Sequence, residues 1–162
     1  MTAAKKAKVP SRKALKDELV QKLEETLRTL EAAHADTREA ATHAEAKPEN
    51  DKDTRALEQS YLARGQAMRI EALKAGLSAV VTMGIAPGNV GRVSALIEAE
   101  EDDGEVRFFL APEGGGTKLA GGVQVVTPAS PLGQALLGKR EGDEVELKLG
   151  GKTRVLSITA VS

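Results

Sequence analysis

The chain has 162 residues, 23 Lys+Arg against 24 Asp+Glu for a formal net charge of −1, and no cysteine. That length allows one or two domains, and the near-neutral charge gives no signal for a general basic surface that holds nucleic acid. The lack of cysteine excludes disulfides and thiolate chemistry. No apolar run reaches the roughly 18 residues of a membrane span and no secretory h-region opens the chain, so the expectation is a cytoplasmic protein with no membrane association.

The two halves differ in kind. Residues 1–78 hold 15 Lys+Arg against 13 Asp+Glu and are rich in Ala and Leu, whereas residues 79–162 hold 8 against 11 and carry 14 of the 16 glycines. A helical half followed by a Gly- and Val-rich half predicts an α+β architecture rather than alternating βαβ units. Residues 1–11 read as a tail, with Lys5, Lys6 and Lys8 among small residues. A solvated end is the plain reading of those lysines, and contact with phosphate or an acidic partner is the functional one.

Ser11 caps a first helix that runs from Arg12 to about Ala46. Along it Val20, Leu23, Leu27, Leu30, His34, Thr37, Ala41 and Ala44 recur at alternating spacings of three and four, the heptad seam that two supercoiled helices bury. Pro48 then lacks an N–H and disfavours the α region at Lys47, so the helix stops. Asn50 or Asp51 caps a second helix, in which Leu57, Tyr61, Arg64 and Met68 are the expected seam, continued by Ile70, Leu73 and Leu77. Gly76 is its expected C-cap. Residues 12–78 are therefore an antiparallel coiled-coil hairpin with an acidic tip at 45–53. Some thirty residues at about 1.5 Å each make an arm of roughly 45 Å.

From residue 79 the period shifts toward two, and 79–162 form the second domain. Ala79–Met83 reads as a short strand, Gly84–Gly91 as a turn, and Arg92–Glu98 with Glu105–Leu110 as a hairpin across the acidic loop Glu100–Gly104. Gly114–Gly116 is a turn before a strand at Val123–Thr127. Ser130 at the N-cap, Pro131 at the first helical position and Gly138 at the stop define a short helix through Leu137. Glu144–Leu149 and Thr153–Val161 form a last hairpin across Gly150-Gly151. The expected domain is a small, mostly antiparallel sheet with one short helix.

Few residues suit self-contained catalysis. There is no nucleophile elbow, no metalloprotease helix and no Walker A loop, and the spacing of Gly114-Gly115-Gly116-Thr117-Lys118 suits a turn instead of a phosphate loop. His34 sits on the seam, nine residues from His43 and off its stripe, which suits packing rather than ligation. The run Glu100, Glu101, Asp102, Asp103 reads as a solvated loop. The sharpest candidates are the tip carboxylates Glu45, Glu49, Asp51 and Asp53, four within nine residues. One or two carboxylates can hold Mg²⁺ together with waters and substrate oxygens, so such a tip can complete another protein's site. The plain alternative is that the aspartates cap a helix and keep a loop soluble.

The run Ser130-Pro131-Leu132-Gly133-Gln134-Ala135-Leu136-Leu137-Gly138-Lys139-Arg140-Glu141-Gly142-Asp143-Glu144-Val145 closely resembles the C-terminal signature of the Gre transcription elongation factors, S-P-hydrophobic-G-x-A-L-L-G-K-x-x-G-D-x-V. The resemblance extends to the two-part layout, a coiled-coil hairpin followed by a globular domain, and implies an FKBP-like fold for the latter. It also implies bacterial RNA polymerase as partner. The globular domain would dock at the rim of the secondary channel, and the arm would thread toward the active centre. Acidic tip residues there would stabilise a shared Mg²⁺ beside the nascent RNA 3′ end, so that the polymerase cleaves backtracked RNA. Glu49, Asp51 and Asp53 are the implied acting carboxylates, Asp51 and Asp53 the implied holders of the ion, and Ser130, Pro131, Gly133 and Gln134 the implied docking surface. The family tip resembles D-x-x-E-N-x-E-Y. Glu49-Asn50 matches its E-N pair, but the aspartates here follow that pair, and Tyr61 matches its tyrosine only in a different register.

The leading expectation is a monomeric, non-enzymatic factor without a cofactor of its own that modifies the polymerase active site. Alternatives are a channel-binding regulator that does not stimulate cleavage, a plain coiled-coil adaptor, and a prolyl isomerase or chaperone. The last is poorly served by the aromatic content: Phe108, Phe109 and Tyr61 are all the chain holds, and Tyr61 lies in the helical half.

Overall fold

The computed structural model describes the backbone of residues 8–45 and 50–162 and the side chains of residues 8–43 and 54–162. Two helices, α1 (Arg12–Glu45) and α2 (Asn50–Thr82), precede strands β1 (Leu96–Glu101), β2 (Gly104–Leu110), β3 (Lys118–Leu119) and β4 (Val123–Val126). Helix α3 (Pro131–Leu136) and strands β5 (Glu144–Leu149) and β6 (Lys152–Val161) complete the chain. The α+β class is as expected. The chain forms two compact units: residues 21–78, and residues 1–20 together with 79–162.

In the unit of residues 21–78, α1 and α2 pair antiparallel. Lys74 Nζ stands 3.6 Å from Glu31 Oε1, and Gln66 Oε1 3.4 Å from His34 Nδ1, so contacts climb one helix as they descend the other. Over the described residues of this unit the α1 seam is the expected one: Leu23 and Thr37 are buried and Leu27, Leu30, His34 and Ala41 half-buried, while the side chain of Ala44 lies outside the described residues. Thr37 Oγ1 donates to the Ala33 carbonyl at 2.9 Å, which satisfies its hydroxyl inside the seam.

On α2 the expected stripe is wrong over its first half. Leu57, Tyr61 and Met68 are 55%, 64% and 68% exposed, and Arg64 is exposed too. The buried or half-buried positions include Ala56, Gln59, Ala63, Gln66, Ile70, Leu73, Leu77 and Val80. The reason is phase. Ile70, Leu73, Leu77 and Val80 share one 3.5-residue register, and a straight helix carries it back to 66, 63, 59 and 56. The stripe through 57, 61, 64 and 68 leads to Glu71 and Ala75 instead, on the opposite side.

The same register corrects the helix end. Gly76 does not stop α2, which runs on to Thr82, and the expected strand at Ala79–Met83 is its last turn and the residue after it. Val80 is fully buried and Met83 nearly so. Burial of such side chains is worth about 1.5–3 kcal/mol each, more than the roughly 1 kcal/mol that glycine costs inside a helix.

In the other unit a six-stranded mixed sheet has the order β3-β4-β2-β1-β6-β5. All neighbours are antiparallel except β2 and β4, which run parallel with Phe109 opposite Val125. β1 begins at Leu96 instead of Arg92 because residues 92–95 make a turn: Ala95 N donates to the Arg92 carbonyl at 2.9 Å, and Ser94 takes a φ of 79°. Ile97, Ala99, Phe108, Leu110 and Val126 form one face and pack with Leu136 of α3 and with Val145, Leu156 and Ile158 of the last hairpin. Alternation puts Leu96, Phe109, Val123 and Val125 on the opposite face, all buried.

The first turns of α1 are tied to this unit by polar bonds. Arg12 Nη1 donates to the Ala86 carbonyl at 2.9 Å, Lys16 Nζ to the Met83 carbonyl at 2.9 Å, and the Glu18 carboxylate accepts from Ala120 N at 3.0 Å. Leu15 and Leu19, on the same turns, are fully buried.

The seam phase has a direct check. Ile70→Ala is expected to lower unfolding free energy by about 2–5 kcal/mol, while Leu57→Ala stays within about 0.5 kcal/mol, both read by urea denaturation.

Candidate functional site

The signature from Ser130 to Val145 is built mostly by structural demands. Ser130 is the N-cap of α3: its Oγ accepts from Gly133 N at 3.0 Å and donates to the Thr127 carbonyl at 2.7 Å. Pro131 takes the first helical position, where no amide donor is needed. Gly133 is buried, not surface-facing as expected: a Cβ there would stand 1.9 Å from the Thr127 carbonyl oxygen. That close approach seats α3 on the end of β4. At the other end Gly138 takes a φ of 78° and donates to the Gly91 carbonyl at 2.8 Å, while Gly91 N donates to the Lys139 carbonyl at 2.7 Å. Asp143 Oδ2 accepts from Arg140 N at 2.8 Å and closes the turn into β5.

What these demands leave at the surface is narrow. Pro131 and Gln134 are exposed, Ser130 and Leu132 half-buried. Leu137 is 39% exposed. Beside them lies a groove of about 300 Å³ lined by Val125, Thr127, Ser130, Leu132, Leu149 and Arg154. Sequence reading singled out neither Leu149 nor Arg154, which reach the groove only because β5 and β6 fold back beside α3.

Arg154 is held in place by Glu101, with Nε to Oε1 at 2.5 Å and Nη2 to Oε2 at 3.1 Å. The bidentate bond, and then the charge of Arg154, hold the Glu101 carboxyl below its usual pKa, and the same contacts raise that of Arg154. The groove thus combines apolar lining residues with one fixed guanidinium.

The tip candidates fall largely outside the described part. Glu49 lies outside the described residues, and the side chains of Glu45, Asp51 and Asp53 do as well. Positions 51 and 53 are nevertheless in the first turn of α2. Two residues apart on a helix means about 200° around its axis, so these aspartates occupy opposite sides. Among the described residues no three His, Asp or Glu side chains gather as metal ligands.

Residues 93–162 match the family model described as Transcription elongation factor, GreA/GreB, C-term. This stretch is thus similar to the C-terminal domain of that family. Transcription elongation factor GreA of Saccharopolyspora erythraea is 37% identical over 76 residues, 46% of this chain and 43% of that protein. GreA of Desulfotalea psychrophila is 35% identical over 71 residues, 44% of this chain and 42% of that one. The match thus spans less than half the length of either relative. Among solved structures, GreA factor homolog 1 (Gfh1) of Thermus thermophilus is 19% identical, covering 88% of this chain and 94% of its own at a TM-score of 0.39. GreA/GreB from Nitrosomonas europaea is 21% identical, covering 56% and 78% at a TM-score of 0.37.

Inside this stretch the structural and surface roles separate on substitution. Gly133→Ala is expected to cost about 1–3 kcal/mol through the clash at the Thr127 carbonyl and Ser130→Ala about 1 kcal/mol through the lost cap, while Gln134→Ala stays within about 0.5 kcal/mol in thermal melts. Because the folded Glu101 pKa lies below its ordinary value of 4.5, its pairing stabilises the fold above that pH and the gain is lost as pH falls through the lowered value. Glu101→Gln therefore lowers stability at pH 7 by less than about 1 kcal/mol and removes that part of the acid dependence, read as melting temperature against pH.

Proposed function

We propose that this protein is a cytoplasmic Gre-type elongation factor that acts on bacterial RNA polymerase and has no catalytic activity of its own. The observation that carries the reading is the GreA/GreB match over residues 93–162, whose signature helix leaves Pro131, Gln134 and Leu137 at the surface beside the Arg154 groove. That surface docks the domain on the polymerase, and the helical hairpin carries its acidic tip toward the active centre to promote cleavage of backtracked RNA. The chemistry a shared Mg²⁺ would supply there is activation of a water for phosphodiester hydrolysis. Asp51 and Asp53 are the residues that would hold that ion.

The tip order, in which Asp51 and Asp53 follow Glu49-Asn50 instead of preceding it, favours a second reading within the same class, a channel-binding regulator that docks without promoting cleavage. One assay separates the two. Cleavage is measured in backtracked elongation complexes with the cognate polymerase, alongside polymerase binding. Leu137→Glu, at an exposed position, is expected to weaken binding about tenfold or more. Under the leading reading the wild type stimulates cleavage, and Asp51→Ala and Asp53→Ala each lose at least about tenfold of that stimulation, or about 1.4 kcal/mol, while polymerase binding is kept. Binding without any stimulation identifies the regulator. No binding by the wild type overturns both.

A further inference from the structure

We propose that Arg12 and Arg92 form a binding site for a phosphoryl dianion, either inorganic phosphate or the terminal phosphate of a small molecule. Both guanidiniums converge on one acceptor in the stretch between α2 and β1. Arg12 Nη1 donates to the Ala86 carbonyl at 2.9 Å, and Arg92 Nη2 donates to the same oxygen. Two nitrogens that share an acceptor at ordinary hydrogen-bond lengths stand at most about 6 Å apart. The remaining bonds of the pair also go to backbone carbonyls, Arg12 Nη1 to Ser94 at 3.3 Å and Arg92 Nη1 to Val90 at 3.0 Å.

Carbonyl dipoles do not neutralise two full charges, and the surrounding chain supplies no carboxylate that does. From Ala75 to Ile97 the sole charged residue is Arg92. On the first turns of α1, Lys16 Nζ donates to the Met83 carbonyl at 2.9 Å, the Glu18 carboxylate accepts from Ala120 N at 3.0 Å, and Lys13 and Asp17 are exposed. On the segment bonded to Gly91, Lys139 adds a further cation, Glu141 is exposed, and Asp143 Oδ2 accepts from Arg140 N at 2.8 Å. Among the described residues no carboxylate pairs with Arg12 or Arg92. Partial burial, and then the charge of Arg92, hold the Arg12 guanidinium below its ordinary pKa. An anion beside the pair relieves that repulsion.

Arg12 also has the donors to grip one. Its Nε and Nη2 edge is the edge with which Arg154 clasps Glu101, and here it bonds no described residue. Arg92 Nε is unbonded in the same sense. Among the described residues no side-chain nitrogen or oxygen is both buried and without a partner, so these donors are open to solvent. A phosphoryl group offers two oxygens to one guanidinium edge and carries about two negative charges at pH 7, the charge of the two arginines. A carboxylate or a phosphodiester fits the edge and supplies one charge, half of what the pair presents. The site stands apart from the polymerase reading and does not rest on it.

The test is an NMR titration of the full ¹⁵N-labelled chain with inorganic phosphate and, separately, with a nucleoside 5′-monophosphate, each against sodium chloride at equal ionic strength. The expected result is saturable shifts at Arg12, at residues 84–94 and at the Arg12 Nε–H signal, with a Kd on the order of 1 mM. Equal affinity means that the phosphoryl group alone is read, and tighter nucleotide binding means a phosphorylated metabolite; both support the site. Acetate is expected to bind at least about tenfold more weakly, and Arg12→Gln to weaken phosphate binding at least about tenfold. Because Arg12 also fastens the start of α1, Arg12→Lys and Arg92→Lys serve as second variants. Each keeps the charge and loses the planar fork, and each is expected to weaken binding at least about threefold with the rest of the amide spectrum unchanged. Shifts centred on Arg154 or on residues 8–10, shifts that do not saturate, acetate as effective as phosphate, or unchanged affinity in both lysine variants overturns the proposal.

Discussion

A helix has one phase, and in α2 Ile70, Leu73, Leu77 and Val80 set it. These side chains sit at buried or half-buried positions, and each turn of helix upstream must follow them. The consequence is an unusual choice of seam: Ala56, Gln59, Ala63 and Gln66 turn toward α1, while Leu57, Tyr61 and Met68 turn away. Local hydrophobicity alone would choose the other stripe. It loses because a rotation that buried Leu57 and Tyr61 would bring Glu71 and Ala75 round in place of Ile70 and Leu73. The small and amide side chains of the winning seam face His34, Thr37 and Ala41, so neither helix places a bulky side chain there.

This case shows what was legible. The α1 seam could be read because a single stripe runs along it. The hairpin turn was clear because Pro48 admits no helical alternative, and the last hairpin because two glycines separate two alternating runs. α2 carries two competing stripes with a break between Met68 and Ile70, and deciding between them needs the partner helix. The end of α2 was misread for a related reason. Gly76 is a stop signal in isolation, yet a buried Val80 one turn later outweighs it. The turn at residues 92–95 depends on Ser94 in a left-handed conformation that serine rarely adopts, and no local pattern announces that.

The candidate docking surface is legible in outline, and of its four expected residues the fold buries only Gly133. Its motif is specific because so many positions answer to geometry: a capping hydroxyl at Ser130, a fixed φ at Pro131, the close approach at Gly133, and left-handed turns at Gly138 and Gly142. Residues under such demands are poor candidates for partner recognition, since changing them moves the helix itself. Leu137, Leu149 and Arg154 carry no such demand from the backbone, and they come together only through the folding of three separate elements.

The same division of labour runs through the sheet. One face carries the apolar cluster that packs with Leu136 of α3 and with the last hairpin. The other changes character along its strands, from Phe109 and Leu96 to Arg107, Glu98, Glu105 and Glu100, within a few residues of β1 and β2. A two-residue period allows such a change at no cost to the ladder, because the backbone bonds do not depend on which side chains stand above them. The first turns of α1 are fastened by Arg12, Lys16 and Glu18 while Leu15 and Leu19 are buried, and the chain just before them passes Gly121 to reach the charged end.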